Sequence, residues 1–244
     1  MPNDDSRLAT LLSVLERLDT EASTTDRGDL DLLGTAELVR RMNAEDRRVP
    51  EAVAERAEEI AIVVDGITER FRRGGRLIYI GAGTAGRIGV LDASECPPTF
   101  GSDPSMVVGL IAGGETAIRS AVENAEDDDA AAEASLRELG LSENDTVVGI
   151  SASGRTPYVV GGLTYARSVG AFTAAIASNA GSDIGAAAEV AIEVVTGPEF
   201  ISGSTRLKSG TAQKLVVNML TTLSMNNLGK TYRGVMVDLM AANE

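Results

Sequence analysis

The chain has 244 residues, 43% hydrophobic and 24% charged, enough for one large α/β domain around a sizeable core. Its net charge is −14, from 36 acidic against 22 basic residues, a balance that repels nucleic acid and anionic membrane surfaces. Histidine is absent and Cys96 is the one cysteine, which excludes imidazole bases and ligands, thiolate metal clusters and internal disulfides. Proton transfer therefore falls to Glu, Asp, Lys, Tyr or water. Cys96 reads as a small apolar residue, with no imidazole to activate it. No apolar run reaches the length of a membrane span, and the start lacks a basic region leading into an apolar stretch, so the chain is expected in the cytoplasm.

In chain order, residues 1–50 carry short helical patterns, such as 35–43, and no sheet signal, and are expected to form a helical extension. From Pro50 to about Arg73 a single long helix is predicted, with Val53, Ala57, Ile60, Val64, Ile67 and Phe71 at helical spacing. The period then changes. Apolar β-type runs occur at 77–80, 106–111, 146–150, 172–177 and 190–195, with helical stretches at 84–94, 115–124, 130–139 and 156–169. A last helix is predicted from Ser204 to about Leu228. Short continuous apolar strands alternating with helices predict a parallel sheet covered on both faces, over residues 51–244.

Such sheets bind ligands where strand ends lead into helix N-termini. The first of these loops, Gly81 to Arg87, holds Gly83, Thr84 and Arg87 and is formally GxGxxG, so it fits a phosphate, a dinucleotide or merely a tight turn. The dinucleotide reading lacks an acid close to the end of the second strand. The next loop, Ser151-Ala152-Ser153-Gly154-Arg155-Thr156, offers three hydroxyls and a helix start, more than the single hydroxyl a helix cap needs, and points to phosphate. A third, with Ser204, Thr205 and Lys208, repeats the chemistry. Two carboxylates sit on the ligand side. Glu95 precedes Pro97, which is expected to end its helix, and Glu115 follows Gly113-Gly114. Two carboxylates with separated pKa values can divide acid and base roles.

The runs GAGTAGRIGVLDASECPPTFG (81–101), GLIAGGETAIRSAVENAEDD (109–128), SASGRTPYVVGGLTYAR (151–167) and GSTRLKSGTAQKLVVNML (203–220) resemble the N-acetylmuramic acid 6-phosphate etherase family, within the sugar isomerase (SIS) domain superfamily. The resemblance runs from about Leu18 to the last residue, and family members continue beyond it into a C-terminal helical segment. It implies a flavodoxin-like three-layer α/β/α sandwich with a five-stranded parallel sheet, a homodimer, and no metal or cofactor. It also implies cleavage of the D-lactyl ether to N-acetylglucosamine 6-phosphate and D-lactate in peptidoglycan recycling. Carried over, Glu95 is the proton donor, Glu115 the second catalytic carboxylate, and Ser151–Thr156 the phosphate cradle. The chain has Ala85, Ser151 and Ser209 where the family usually has Ser, Ala and Ala. An SIS-type phosphosugar isomerase and a non-catalytic sugar-phosphate sensor similar to the glucokinase regulatory protein are the alternatives.

Overall fold

The computed structural model describes residues 30–238. A 3-10 turn (Leu30–Leu32) leads to α1 (Thr35–Asp46), α2 (Arg48–Ala54) and α3 (Ala57–Arg72). Then come β1 (Leu77–Gly81), α4 (Gly83–Phe100), β2 (Val107–Ile111), α5 (Gly114–Arg119), α6 (Asp129–Glu138), β3 (Thr146–Ser151) and α7 (Pro157–Val169). The chain continues through β4 (Phe172–Ala177), α8 (Asp183–Ala187), β5 (Val190–Glu193) and α9 (Lys208–Asn227), and β6 (Thr231–Tyr232) and β7 (Val235–Met236) form a small hairpin. The first 29 residues, including part of the expected extension and of the family-like run, lie outside the described residues, as do the last six.

Five strands form one parallel sheet in the order β2-β1-β3-β4-β5. The apolar runs become strands because alternate residues find a hydrophobic layer on each side. In β1, Leu77 and Tyr79 enter the core shared with α2, α3, α4 and α9, whereas Ile78 and Ile80 enter the core shared with α6, α7 and α8. The result is the expected three-layer sandwich. Val49 and Val53 of α2 are buried in the first of these cores, so the helices before β1 are packed onto the sheet domain.

Several helix boundaries differ from the sequence reading. The long helix expected from Pro50 is two helices, starting at Arg48 and broken where Arg56 leaves helical dihedrals (φ −106°, ψ 18°), which turns Ile60, Val64, Ile67 and Phe71 of α3 onto the core. The helix expected over 115–124 stops at Arg119 because Ser120 is extended. More consequentially, α4 does not stop before Pro97. It runs through Pro97 and Pro98 to Phe100, and ends at Gly101, whose left-handed φ of 57° lets its N–H donate to the Pro97 carbonyl at 2.9 Å. Proline's φ is itself helical, and burial of Cys96 and Phe100 holds the last turns in place despite two missing N–H donors. Glu95 therefore sits inside a helix, on its exposed side.

Two polar ties fix the layers. Asp92 of α4, 5% exposed, accepts bonds from Tyr79 Oη on β1 (2.9 Å) and from Asn218 Nδ2 (2.7 Å) and Thr221 Oγ1 (3.2 Å) on α9. Burial raises the Asp92 carboxyl above its ordinary pKa, partly offset by these bonds. At the opposite end of the strands, Arg76 grips Asp145 with Nε (3.0 Å) and Nη2 (2.8 Å), and donates to the Leu139 and Gly140 carbonyls.

Candidate functional site

The strand order reverses direction between β1 and β3, so the loops leaving their carboxyl ends diverge and open a crevice. A cavity of about 210 Å³ lies there, lined by Gly83, Thr84 and Ala85 after β1, Ser151, Ser153 and Thr156 after β3, and Gly203 and Thr205 before α9. Ala82, Glu126, Ala152 and Gln213 complete it. No Lys or Arg is among the lining residues.

The β3 loop is shaped by its own hydroxyls. Ser151 Oγ lies 2.7 Å from Thr156 Oγ1 and 3.3 Å from Ser153 Oγ, while the Gly154 N–H donates to Ser151 Oγ (3.1 Å) and the Arg155 N–H to Ser153 Oγ (3.3 Å). Gly154 permits this turn. Its φ is +73°, and a Cβ there would stand 2.4 Å from Ser182 Cβ, so neither the backbone nor the space accepts a larger residue. Thr156 occupies the N-cap of α7 yet makes no side-chain cap bond, because its hydroxyl is turned to Ser151. The three hydroxyls thus bond within their own loop at the cavity wall and do not cap the helix end.

Across the crevice, α4 starts with no side-chain cap bond, and its first residues, Gly83, Thr84 and Ala85, line the cavity. Two helix N-termini and three hydroxyls meet at this cavity, a chemistry able to receive an anion, each helix end being worth about 0.3–1 kcal/mol per charge and more where water is excluded. Gly81 and Gly86 owe their identity to packing. A Cβ at Gly81 would meet the Gly86 backbone nitrogen at 2.8 Å, and one at Gly86 would meet Ile111 Cγ1 at 2.6 Å.

Of the residues expected from sequence, Gly83, Thr84, Ser151, Ser153, Thr156 and Thr205 meet at this cavity, and Gly154 shapes the loop that carries three of them. Others are placed elsewhere. Arg87 Nε donates to the Ile118 carbonyl (2.9 Å), which ties α4 to α5. Arg155 turns outward, 3.8 Å from Asp183, beside a separate groove between α6 and α7. Lys208 is buried at 1% exposure with its ammonium 3.0 Å from Glu45, and Ser204 is outside the lining. Glu115, in the first turn of α5, and Glu95 are exposed and do not line the cavity of their own chain. At about 1.5 Å of rise per residue, Glu95 stands roughly 18 Å along α4 from Gly83.

Glu126 and Gln213 line the cavity although neither was singled out from sequence. Glu126 rides a 3-10 turn (Ala125–Asp127) preceded by Asn124 at φ 59°, a backbone detail that composition does not announce. Gln213 lies inside a helical pattern and carries no local signal. Helix α9 begins at Lys208 and not at Ser204 as its sequence pattern predicts. Glu199, fully buried, accepts the N–H groups of Lys208 (2.8 Å) and Ser209 (2.9 Å), so the helix is capped from nine residues upstream.

Comparison with known proteins fits this architecture. Residues 59–167 match the family described as the glucokinase regulatory protein N-terminal SIS domain, and residues 122–223 match the SIS domain. The phosphoheptose isomerase of Neisseria gonorrhoeae superposes with a TM-score of 0.61 at 18% identity, covering 79% of this chain and 100% of that one, a likeness of fold. The chain is 59% identical to the N-acetylmuramic acid 6-phosphate etherase of Streptomyces coelicolor over 96% of its own length and 75% of the relative's. It is 57% identical to that of Brucella anthropi over 96% and 76%. Identity at this level across nearly all of an SIS-type sheet and its switch-point loops makes the chain a member of the N-acetylmuramic acid 6-phosphate etherase family.

Proposed function

We propose that this protein is a carbon–oxygen lyase that cleaves the D-lactyl ether of N-acetylmuramic acid 6-phosphate, yielding N-acetylglucosamine 6-phosphate and D-lactate, in cytoplasmic recycling of peptidoglycan sugar. The observation that carries this reading is the hydroxyl cradle at the switch point, built on a chain that shares more than half of its residues with named etherases. The sugar phosphate enters with its phosphate against Ser151, Ser153, Thr156 and the start of α4. Ring opening exposes an aldehyde at C1 and acidifies the C2 proton. A carboxylate removes that proton, the C3–oxygen bond breaks, and the departing lactate oxygen takes a proton. Water then adds across the unsaturated intermediate, so that the sum is substrate plus water giving the two products.

Glu126 is better placed to take the C2 proton than Glu115, because Glu126 borders the cavity and Glu115 does not. Glu95 remains the proton donor, supplied by a second copy of the chain, since α4 carries it away from its own cradle. Exposed Leu91 (49%), one turn before Glu95 on α4, lies in the same helical layer as exposed Met219 and Leu223 of α9. That apolar stripe beside Glu95 supports a homodimer through this face.

Incubation with N-acetylmuramic acid 6-phosphate should release D-lactate. Positioned acid–base groups are worth about 10²–10⁴-fold, so Glu95→Gln and Glu126→Gln should each lose at least that in kcat, with Glu115→Gln losing less. No D-lactate from the unaltered protein would end the etherase reading. Isomerised sugar phosphate in its place would mark an isomerase, and binding with no product a sensor.

A further inference from the structure

Gln213 is 2% exposed, yet neither its Oε1 nor its Nε2 has a hydrogen-bond partner among the described residues. A buried amide left unpaired is destabilising, and folded proteins seldom tolerate it without a reason. The same side chain lines the cavity that holds the hydroxyl cradle. The first turn of α9 is set close to the first turn of α4: a Cβ at Gly210 would sit 3.5 Å from Thr84 Cγ2. Gln213, one turn further along α9, is thereby held over the anion site by backbone packing.

The carboxamide offers two donors and one acceptor. A phosphate dianion only accepts, so it would leave Oε1 unpaired. A neutral group that both donates and accepts, such as a sugar hydroxyl or an acetamido group, satisfies both ends of the amide at once. We propose that Gln213 is a specificity-determining residue that reads a neutral hydroxyl or amide group of the sugar next to its phosphate. The proposal rests on the sugar-phosphate reading of the cavity, and it separates two tasks: the β3 loop and the α4 N-terminus hold the anion, and α9 tests what is attached to it.

The test compares the unaltered protein with Gln213→Met, which keeps length and removes every donor and acceptor, and Gln213→Glu, which keeps shape and removes the donors. Equilibrium binding is measured for inorganic phosphate, glucose 6-phosphate and N-acetylglucosamine 6-phosphate, together with Tm without ligand. In Gln213→Met the affinity for one or both sugar phosphates should fall roughly 10- to 100-fold, while that for inorganic phosphate stays the same. Its Tm should be unchanged or higher, because an unpaired buried amide has been removed. Gln213→Glu should weaken sugar-phosphate binding further through repulsion. A loss for N-acetylglucosamine 6-phosphate alone assigns the contact to the acetamido group, and a loss for both sugars assigns it to a hydroxyl. An equal change for phosphate and sugar phosphates, no change for any of them, or a lower Tm in Gln213→Met overturns the proposal. These outcomes are independent of turnover: D-lactate release by the unaltered protein tests the etherase reading, and differential binding tests Gln213.

Discussion

At the scale of single residues, Ala85 and Ser151, where the family resemblance leads to the expectation of Ser and Ala, both lie on the wall of one cavity. The hydroxyl missing from the α4 side is present on the β3 side, where Ser151 also orients Thr156 and the Gly154 N–H. Ser151→Ala should therefore raise KM roughly 10- to 100-fold, the worth of a hydrogen bond to a charged group. Adding Ala85→Ser to that variant should recover a large part of the loss. Steady-state kinetics on the two variants check this, and failure of the second change to help would show that the two walls do not share a phosphate.

At the scale of elements, the tie between Arg76, just before β1, and Asp145, just before β3, governs how the two cavity-forming strands are registered at their far ends. Asp145 is 1% exposed and also accepts the Ser142 N–H and hydroxyl (2.8 and 3.1 Å). Burial pushes its carboxyl up, but the Arg76 and Ser142 bonds outweigh burial and hold it below the ordinary carboxylate pKa. At pH values between the folded and unfolded pKa, the unfolded chain binds the proton more readily. The contribution to stability is thus fully present above the unfolded pKa and is lost as pH falls through the folded one. Asp145→Ala should cost up to about 3–5 kcal/mol at neutral pH, because it leaves a partly buried guanidinium with its carbonyl partners but without its counter-charge. The Tm difference from the unaltered protein should shrink in acid. Melts at neutral and acid pH measure both effects, and a pH-independent difference would remove this ion pair from the account.

At the scale of the whole molecule, the cavity in one chain has the hydroxyl-bearing β3 loop and one bordering carboxylate, but Glu95 is displaced along α4. If the proton donor comes from a second subunit, a mixed dimer of Glu95→Gln and Glu126→Gln chains contains one intact site, with the cradle and Glu126 from one subunit and Glu95 from the other. Two inactive variants mixed at equal amounts and allowed to exchange subunits should regain about a quarter of the unaltered activity, because half the dimers are mixed and each has one of two sites. No recovery, in a mixture shown to have exchanged, would place Glu95 and Glu126 in the same chain's site.

The sequence by itself determined the sheet and the loop that gathers three hydroxyls at its edge, because both rest on local signals. Uninterrupted apolar runs such as 146–150 and 172–177 have only one way to be buried on two sides, and Ser151, Ser153, Gly154 and Thr156 are crowded within one turn by their spacing alone. The tertiary structure alone decided how far α4 runs through its prolines, that Glu199 caps α9, that Lys208 is spent on Glu45, and that Glu126 and Gln213 border the cavity while Glu115 does not. Each of these depends on which distant segment packs alongside. A helix survives two prolines when its last turns are buried, and a polar side chain becomes a site residue only when another strand's loop comes to face it.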